Sequence, residues 1–207
     1  MPAGARRRLL QVDPRPSRSV VYRVIGSRFL ASPLATAGSR ERGGRFNPPG
    51  AFEVLYVAAS VDTAFAERDG LLLTAAGIRA TRAVRSGMLL RLDCRLGAVL
   101  DTTEQRVRDR LAIGLADLLG PWLLWTPSLA PSQAFGEAVH ASRRFEGILY
   151  PSTKDPAGCC LAIFPDRLRP SSSVTVRDPD GVIRGALGIA PLPAPKRTRA
   201  PRTLPKR

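Results

Sequence analysis

Three short segments of the chain hold residue types that could do chemistry together. The first is a glycine- and proline-rich stretch, 43–50, that contains Arg45; the second holds Tyr56 and Glu67; the third ends in Ser152. Glycine and proline let the main chain approach a ligand closely, and a guanidinium can bind two phosphate oxygens at once, whereas lysine offers a point charge. An arginine, a carboxylate and a hydroxyl in this combination indicate an enzyme that binds and cleaves a nucleotide.

Each of these residues also has an ordinary structural interpretation. Arg45 could be a solvated turn residue, Tyr56 could point into the core, and Ser152 could simply serve a turn. Glu67 lies among apolar neighbours on a predicted helix, where an unpaired carboxylate is unfavourable, although the adjacent Arg68 allows that helix to face solvent. The hypothesis therefore depends on the segments occurring together and in this order.

The hydrophobic pattern predicts the elements that must position these residues. Runs of β-branched and aromatic residues predict strands at 19–24, 54–58, 88–93, 147–150 and 159–164, with an edge strand at 174–176. Helical spacing predicts helices from Ser60 to Leu72, from a Thr102–Gln105 capping box to Leu119, and from a cap at Ser132 onward. The segment 32–52 is predicted to be an ordered loop, because its two consecutive prolines disfavour helix.

These elements predict one α+β domain with a single mixed sheet. The connections vary in length and a loop joins the first two strands, so a doubly wound sheet fits less well. No Gly-x-Gly-x-x-Gly fingerprint follows a strand, which argues against a Rossmann-type site. With 207 residues and 44% hydrophobic content, the chain can form one ordinary core. We expect this domain to span 20–178, with 1–19 and the proline-rich 179–207 as basic, disordered termini.

The formal charge of +15, from 32 basic and 17 acidic residues, suggests an anionic partner. Residues 1–19 carry five arginines and one aspartate, and residues 191–207 carry six basic residues and no acid. The termini therefore contribute +4 and +6, which leaves +5 (15 − 4 − 6) for the rest. These tails could contact nucleic acid weakly or could only keep the chain soluble. A basic nucleic-acid-binding protein without catalysis is thus an alternative to the enzyme.

Cysteine, histidine and apolar content argue against several other classes. Three cysteines, with Cys159 and Cys160 adjacent, match neither a disulfide framework nor a zinc-site spacing, so we expect a cytoplasmic protein. The longest apolar run, 111–125, is interrupted and is shorter than the ~20 residues of a membrane span, so no membrane partner is predicted. The lone His140 is expected to be a surface or structural residue, and no metal site is predicted.

Taken together and in order, the motifs resemble the RES-domain family, which is named for an arginine, a glutamate and a serine and includes toxins of bacterial toxin–antitoxin modules. The resemblance extends over roughly residues 20–170. It rests on Tyr22-Arg23, Gly43–Gly50, Leu55-Tyr56, Ala64–Glu67, Gly147–Ser152 and Cys160–Phe164. Phe46 stands where the family often has tryptophan, which keeps an aromatic ring at that position.

The resemblance implies a fold similar to ADP-ribosyltransferases and a reaction on NAD⁺. The favoured reaction cleaves the nicotinamide–ribose bond, passes ADP-ribose to phosphate or water, and depletes cellular NAD⁺; transfer of ADP-ribose to a protein is the alternative. The implied catalytic residues are Arg45, Glu67 and Ser152, and the implied binding residues are Arg23, Arg45, Tyr56 and Ser152. In this assignment the arginines hold the dinucleotide, Tyr56 faces its nicotinamide end, and Glu67 serves the reacting ribose. NAD⁺ is the substrate, and no further cofactor is implied.

A toxin of this kind also implies a partner. The resemblance implies a cognate antitoxin, Xre-like, that covers the active cleft. Trp122 and Trp125 could supply part of such an interface, because exposed aromatic residues are favoured at interfaces, or they could pack in the core. Lys154 could add to the field that attracts an anion, or could be a solvated loop residue.

Overall fold

The computed structural model describes residues 3–68, 71–74, 77–80, 87–125, 128–179, 181 and 183. The chain divides into two compact units, residues 1–177 and 178–207. The helices and strands given below belong to the first unit, which also contains the predicted site residues. The predicted C-terminal tail, 179–207, lies almost entirely outside the described residues, so its disorder stays a prediction.

The described residues form the following elements. The helices are α1 Ala3–Leu9, α2 Ala37–Arg42, α3 Val61–Arg68, α4 Gln105–Leu111, α5 Leu115–Leu119 and α6 Pro131–Ser142. The strands are β1 Arg15–Gly26, β2 Leu55–Ala58, β3 Leu71–Thr74, β4 Gly77–Ala80, β5 Gly87–Asp101, β6 Gly147–Pro151, β7 Cys159–Ile163 and β8 Ser173–Val176. Every helix within these ranges is too short or too polar to cross a membrane.

One mixed sheet forms the centre of the domain. Its strand order is β1-β2-β7-β6-β5-β8, and β1 also pairs with β5, so five strands form a closed ring and β8 is added outside on β5. β5 and β6 run parallel, whereas the other pairs in this sheet are antiparallel. These findings confirm the predicted mixed sheet and the edge position of β8. The separate antiparallel pair of β3 and β4 was not predicted.

A large apolar cluster joins the sheet to the helices that cover it. Phe46, Phe145 and Phe164 are fully buried in this cluster, together with Leu100 and Leu118. Burying one phenylalanine side chain stabilises a fold by roughly 1.5–3 kcal/mol. Because Phe46 follows Arg45 directly, this burial anchors the glycine-rich segment against the sheet.

The folded part of the chain begins before the predicted boundary at residue 20. α1 and the first residues of β1 lie within 1–19, and Leu9 and Val12 are buried in the apolar cluster. The Leu9 carbonyl also accepts a hydrogen bond from the guanidinium of Arg144. Residues 1–19, which were expected to be an extension, therefore contribute to the domain. Their few apolar side chains pack into the core, which their basic composition does not indicate.

The helix that carries Glu67 is shorter than predicted. Ser60 caps α3 as expected, since its hydroxyl accepts a hydrogen bond from the Thr63 N–H at 3.0 Å. The predicted extension to Leu72 is wrong, because α3 ends at Arg68 and 71–74 form β3. An Asp69-Gly70 turn signal separates the two elements in the sequence.

The long helix predicted to end at Leu119 is two helices. α4 ends at Leu111, the next residue, Ala112, adopts the left-handed conformation with φ 49°, and α5 begins after Gly114. Asp117 accepts a hydrogen bond from the Gly114 N–H at 2.9 Å, which stabilises the start of the second helix. The predicted Thr102 cap is also absent: the Thr102 hydroxyl donates instead to the Leu149 carbonyl at 2.8 Å.

Two further predictions about local structure need correction. The segment 32–52 is not entirely loop, because it contains α2. The cap of α6 is Ala130 rather than Ser132, since Pro131 occupies the first helical position, where its fixed φ suits the helix and its missing N–H is not needed. Ser132 is buried just inside the helix.

Glu146 is a carboxylate in the interior, with 1% of its surface exposed. Its Oε2 accepts hydrogen bonds from the N–H groups of Gly97 (2.6 Å) and Ala98 (2.7 Å), and its Oε1 from that of Arg169 (2.7 Å). Burial acts to raise the pKa of Glu146, but the hydrogen bonds from Arg169, Ser172, Ala98 and Gly97 outweigh it and lower the pKa. The carboxylate thus satisfies backbone donors where β5 and β6 meet.

Glu146→Gln should lower the free energy of unfolding near neutral pH by about 2 kcal/mol or more, because an amide NH₂ would face backbone donors. The carboxylate contributes stability above its unfolded-state pKa, about 4.3, and loses it as the pH falls through the lower folded-state pKa. Urea unfolding at about pH 7 and below about pH 4 should therefore show the gap between wild type and variant closing in acid. The exposed Glu41→Gln is the matched control, and equal losses in both variants would contradict this role.

Candidate functional site

Four of the five predicted site residues, Arg23, Arg45, Tyr56 and Glu67, line one cavity of about 430 Å³ on the sheet. A row of paired residues forms its wall on the sheet side: Tyr22 pairs with Ala58, Ala58 with Cys160, and Cys160 with Tyr150. Directly paired residues of neighbouring strands point to the same face, so these four side chains lie side by side across β1, β2, β7 and β6. The charged residues that line the cavity are Arg23, Arg45, Glu67 and Arg68, with Trp122 beside them.

The glycines before Arg45 are required by close packing. Gly43 has φ 72°, which a residue with a side chain rarely adopts. At Gly44, an added Cβ would lie 2.6 Å from the Tyr56 hydroxyl and 2.8 Å from Asn47 Oδ1. The Gly44 N–H also donates to the Asn47 carbonyl at 2.8 Å, closing a tight turn around Arg45. The glycine pair therefore allows the turn to lie directly on Tyr56.

Tyr56 holds this turn through its hydroxyl. The hydroxyl accepts a hydrogen bond from the Phe46 N–H at 2.9 Å and donates to Asn47 Oδ1 at 2.8 Å. Burial is the main reason that the pKa of Tyr56 lies well above its ordinary value, so the hydroxyl keeps its proton. The ring lines the cavity as predicted, and the hydroxyl is also a structural clamp.

Three residues that support the turn were missed by the sequence analysis. Asn47 is fully buried, and its Nδ2 donates to the carbonyls of Ser39 (2.7 Å) and Phe52 (3.0 Å). Gln133 of α6 donates from Nε2 to the Gly44 carbonyl at 3.1 Å. A Cβ at Gly136 would lie 1.9 Å from the Phe46 carbonyl, so α6 packs directly on the turn. A glycine inside a helical pattern is the one signal that could have indicated this contact.

The Arg45 guanidinium is held by the end of a helix. Nη1 donates to the carbonyls of Leu118 (2.9 Å) and Gly120 (3.0 Å), where α5 ends. Carbonyls at a helix C-terminus lack intrahelical partners and carry partial negative charge, so they attract a cation. Arg45 is therefore fixed at the cavity wall rather than solvated, and its guanidinium carries further N–H groups beyond Nη1.

Glu67 and Ser152 meet, although they are far apart in the sequence. Glu67 Oε1 accepts hydrogen bonds from the Ser152 hydroxyl at 2.6 Å, from the Thr153 N–H at 2.9 Å and from the Thr153 hydroxyl at 3.3 Å. These contacts orient the carboxylate from the side of the turn that follows β6. The structure thus brings together the arginine, the glutamate and the serine that the sequence analysis selected.

Ser152 supports this arrangement from behind Glu67. Only 6% of its surface is exposed, and its hydroxyl also accepts hydrogen bonds from the N–H groups of Lys154 (3.1 Å) and Asp155 (3.0 Å). The cavity wall is formed by Glu67 and not by Ser152. In this arrangement Ser152 positions the carboxylate and the turn, whereas direct contact with a ligand was expected from the sequence.

A second contact joins the same turn to α3 and was also missed. The Thr63 hydroxyl donates to Asp155 Oδ2 at 2.6 Å and lies 2.7 Å from the Ser60 hydroxyl. A Cβ at Gly158 would lie 2.3 Å from both Asp155 Oδ2 and Thr63 Oγ1. This contact and the Glu67 contact fix α3 against the turn at two points.

Arg23 lines the cavity and also supports the chain before α2. Its Nη1 donates to the Pro33 carbonyl at 3.3 Å and its Nη2 to the Ala35 carbonyl at 3.1 Å. Burial lowers the pKa of Arg23, which nevertheless has one of the most basic side chains in proteins and stays charged. Arg23, Arg45 and Arg68 therefore bring three guanidinium groups to the cavity that the Glu67 carboxylate also lines.

Cys160 and Tyr150 of the wall are neutral at physiological pH. Burial, with a further contribution from the Glu67 carboxylate, raises the pKa of the Cys160 thiol to about 12. Burial likewise raises the pKa of Tyr150. Since the thiolate is the nucleophilic form of cysteine, Cys160 is placed as a wall residue and not as a nucleophile.

The remaining candidates fall outside the cavity wall or at its edge. His140 stacks on Phe52 with ring centroids 3.9 Å apart and lies 3.0 Å from Asp166, which fits the predicted structural role. Within the described ranges, His, Cys, Asp and Glu residues form no group of three that could hold a metal ion. Trp125 is 44% exposed, so it does not pack in the core, and Lys154 is exposed in the turn after Ser152.

Comparisons with known proteins show the family and the fold of the chain. The family model of the RES domain matches residues 20–183, so the chain belongs to the RES-domain family, as the motifs indicated. The fold is similar to that of a chain in the crystal structure of the M. tuberculosis MbcT–MbcA toxin–antitoxin complex, with a TM-score of 0.67 and 24% sequence identity. This similarity covers 85% of the present chain and 90% of the other. A search of curated proteins gave no significant match.

Tyr56→Phe should lower the free energy of unfolding by about 1–3 kcal/mol, because the buried Phe46 N–H and Asn47 Oδ1 would both lose a partner. Chemical denaturation measures the loss. Tyr22→Phe removes a hydroxyl from the same cavity, one for which the described residues provide no hydrogen-bond partner, and it should change stability much less. Equal effects of the two substitutions would show that Tyr56 does not clamp the Arg45 turn.

Proposed function

We propose that this chain is a toxin-like enzyme that binds NAD⁺ and cleaves its nicotinamide–ribose bond, passing ADP-ribose to phosphate or water. The observation that carries the proposal is the meeting of Arg45 and Glu67 at one cavity, with Ser152 bonded to Glu67, in a chain of the RES-domain family. The proposed enzyme would deplete NAD⁺ in the cytoplasm, where that coenzyme is consumed and regenerated.

The two arginines are suited to the diphosphate of the substrate. Arg45 and Arg23 both line the cavity, and backbone carbonyls already hold their side chains. Binding therefore needs to order little of either side chain, which reduces the entropy lost on association. A guanidinium also forms charge-assisted hydrogen bonds with phosphate oxygens, the strongest type available at such a site.

Glu67 is suited to the reacting ribose. When the bond between C1′ and the nicotinamide nitrogen breaks, the electron pair leaves with nicotinamide and the sugar becomes oxocarbenium-like. A carboxylate beside the sugar stabilises the positive charge and can hold a ribose hydroxyl. The contacts from Ser152 and Thr153 keep that carboxylate in place before the substrate arrives. In this proposal Ser152 acts through Glu67.

The proposed chemistry needs no further cofactor. The nicotinamide ring of NAD⁺ carries a positive charge and departs as a neutral molecule, so no acid has to protonate it. The acceptor oxygen, from phosphate or water, then bonds to C1′, and when the acceptor is water its released proton passes to the solvent. The neutral Cys160 and Tyr150 of the wall are not assigned a proton transfer.

We further propose that an antitoxin covers the cavity. The similar M. tuberculosis structure is described as a toxin–antitoxin complex. In the present chain, Trp122 lines the cavity and is followed directly by three exposed apolar residues, Leu123, Leu124 and Trp125. A partner that buried these side chains would lie at the cavity entrance. Co-purification with the product of the neighbouring gene, and relief of growth arrest by that product, tests this part of the proposal.

Glu67→Gln should reduce NAD⁺ consumption by the purified protein by at least about a hundredfold, because the neutral amide no longer stabilises the developing charge. The amide oxygen can still accept the hydrogen bonds of Ser152 and Thr153, so the thermal midpoint should change little. Asp62→Asn, an exposed change on the same helix, should leave turnover intact. Full activity of the Glu67 variant would reject the proposed role.

The products of the same assay identify the acceptor. Formation of ADP-ribose 1-phosphate only when phosphate is present would indicate phosphate, and free ADP-ribose would indicate water. Radioactivity from labelled NAD⁺ appearing in lysate proteins would instead favour the alternative, an ADP-ribosyltransferase with a protein target. Intact NAD⁺ under all three conditions would reject the enzymatic proposal.

Arg45→Lys should weaken NAD⁺ binding about tenfold to a hundredfold, because lysine keeps the charge but loses the planar fork that matches phosphate. Calorimetric titration in the Glu67→Gln background measures the affinity without turnover. Arg40→Lys, on the exposed side of α2, is the matched control. An affinity unchanged by the Arg45 substitution would count against its assignment to the diphosphate.

A further inference from the structure

Four exposed arginines lie on one face of the sheet where β1, β5 and β8 run side by side. This arginine face consists of Arg18, Arg91, Arg95 and Arg177, with Asp93 among them. Residues that alternate along a strand share a face, and so do residues directly paired across two strands. Arg91, Asp93 and Arg95 alternate on β5, Arg18 pairs with Arg95, and the Arg177 N–H donates to the Arg91 carbonyl at 2.8 Å. All five side chains therefore belong to one surface.

The arginines on this face repel one another when no anion is bound. Arg18 and Arg95 are directly opposed on neighbouring strands, and like charges in that position are destabilising. Within the described residues, the ion pair on this face joins Arg177 Nη1 to Asp93 Oδ1 at 3.6 Å. Four guanidinium groups and one carboxylate leave a net charge of +3 (4 − 1). An anion between the strands would relieve this repulsion.

The arginine face is also recessed. A hollow of about 540 Å³ lies between the three strands and is lined by Arg18, Asp93, Arg95 and Arg177, among others. A second hollow of about 330 Å³ shares Arg18 and Arg95 with the first and continues toward Pro16. The two hollows thus adjoin at the Arg18–Arg95 pair, and neither shares a lining residue with the cavity of Arg45 and Glu67.

We propose that the arginine face binds the phosphodiester backbone of nucleic acid. Arginine matches phosphate oxygens in a planar, bidentate way. Arg91 and Arg95 are about 13 Å apart along β5, and the three strands span about 10 Å, so a single phosphate cannot reach all four groups. A nucleic-acid backbone presents a phosphate for each ~3.4 Å of axis per strand and can engage several of them together. Contacts to phosphates do not depend on the bases, so we expect binding to be independent of the nucleic-acid sequence.

This surface differs from the tails as a source of nucleic-acid affinity. The arginine face is part of the folded unit 1–177, and Arg18 lies in a segment that composition alone assigned to an extension. Its backbone is held by the pairing of β5 with β1 and β8, so binding orders less chain than binding a proline-rich tail would. The inference does not depend on cleavage of NAD⁺.

The test uses the full chain, with both termini present in every variant. Arg18→Ala combined with Arg95→Ala removes the opposed pair, and Arg8→Ala combined with Arg110→Ala removes the same charge from exposed sites on α1 and α4. Anisotropy of a fluorescent DNA duplex, measured over a series of salt concentrations, gives the affinity and its salt slope. Thermal unfolding shows whether each variant is folded. The Arg18/Arg95 variant loses the repulsion between two opposed arginines, so its thermal midpoint should not be lower than that of the wild type.

The Arg18/Arg95 variant should bind the duplex on the order of tenfold more weakly, with a salt slope reduced by about 2, since each lost phosphate contact contributes about 0.9. The Arg8/Arg110 variant should keep the slope of the wild type. Equal changes in both variants, or none in the first, would overturn the proposal. The proposal would also be overturned if inorganic phosphate, at the same phosphate concentration as the duplex, displaced the duplex completely. Binding to anionic lipid vesicles without binding to DNA would overturn it as well.

Discussion

The register in which β1, β2, β7 and β6 pair is the constraint on which the cavity depends. Tyr22, Ala58, Cys160 and Tyr150 are paired in succession across these strands, so their side chains form one row. A shift of one residue in any pair would move that strand's side chain to the opposite face. The same register places Tyr56 beside the row, because it alternates with Ala58 on β2. The Arg45 turn, which rests on the Tyr56 hydroxyl, is located by this pairing as well.

The charged groups of the cavity are positioned by backbone and hydroxyl groups before any ligand is present. Carbonyls at the end of α5 hold Arg45, those of Pro33 and Ala35 hold Arg23, and the turn after β6 holds Glu67. The Leu118 carbonyl that holds Arg45 is 73 residues away in the sequence and the Thr153 N–H that holds Glu67 is 86 residues away, so these two groups are positioned only when the domain is folded. Such preorganisation suits a site that must stabilise charge, because little rearrangement is needed during the reaction.

Much of the fold could be predicted because strand signals are local. Runs of β-branched and aromatic residues located six of the strands, and the order of the motifs located the family. Helix ends were predicted less well, since the helical spacing of apolar residues continues in the sequence beyond Leu111 and Arg68, where α4 and α3 end. In the site, Asn47 and Gln133 were missed because their hydrogen-bond partners become neighbours only after folding.

The sequence by itself determined the family and which side chains could do chemistry, since residue type and order along the chain are local properties. Only the tertiary structure decided how those side chains divide their roles. Ser152 lies behind Glu67 rather than in the cavity wall, because its hydroxyl is surrounded by a carboxylate and two turn amides. Arg18 likewise became part of a charged sheet surface because β1 pairs with β5 over most of its length, and pairing between distant strands is a property of the folded chain.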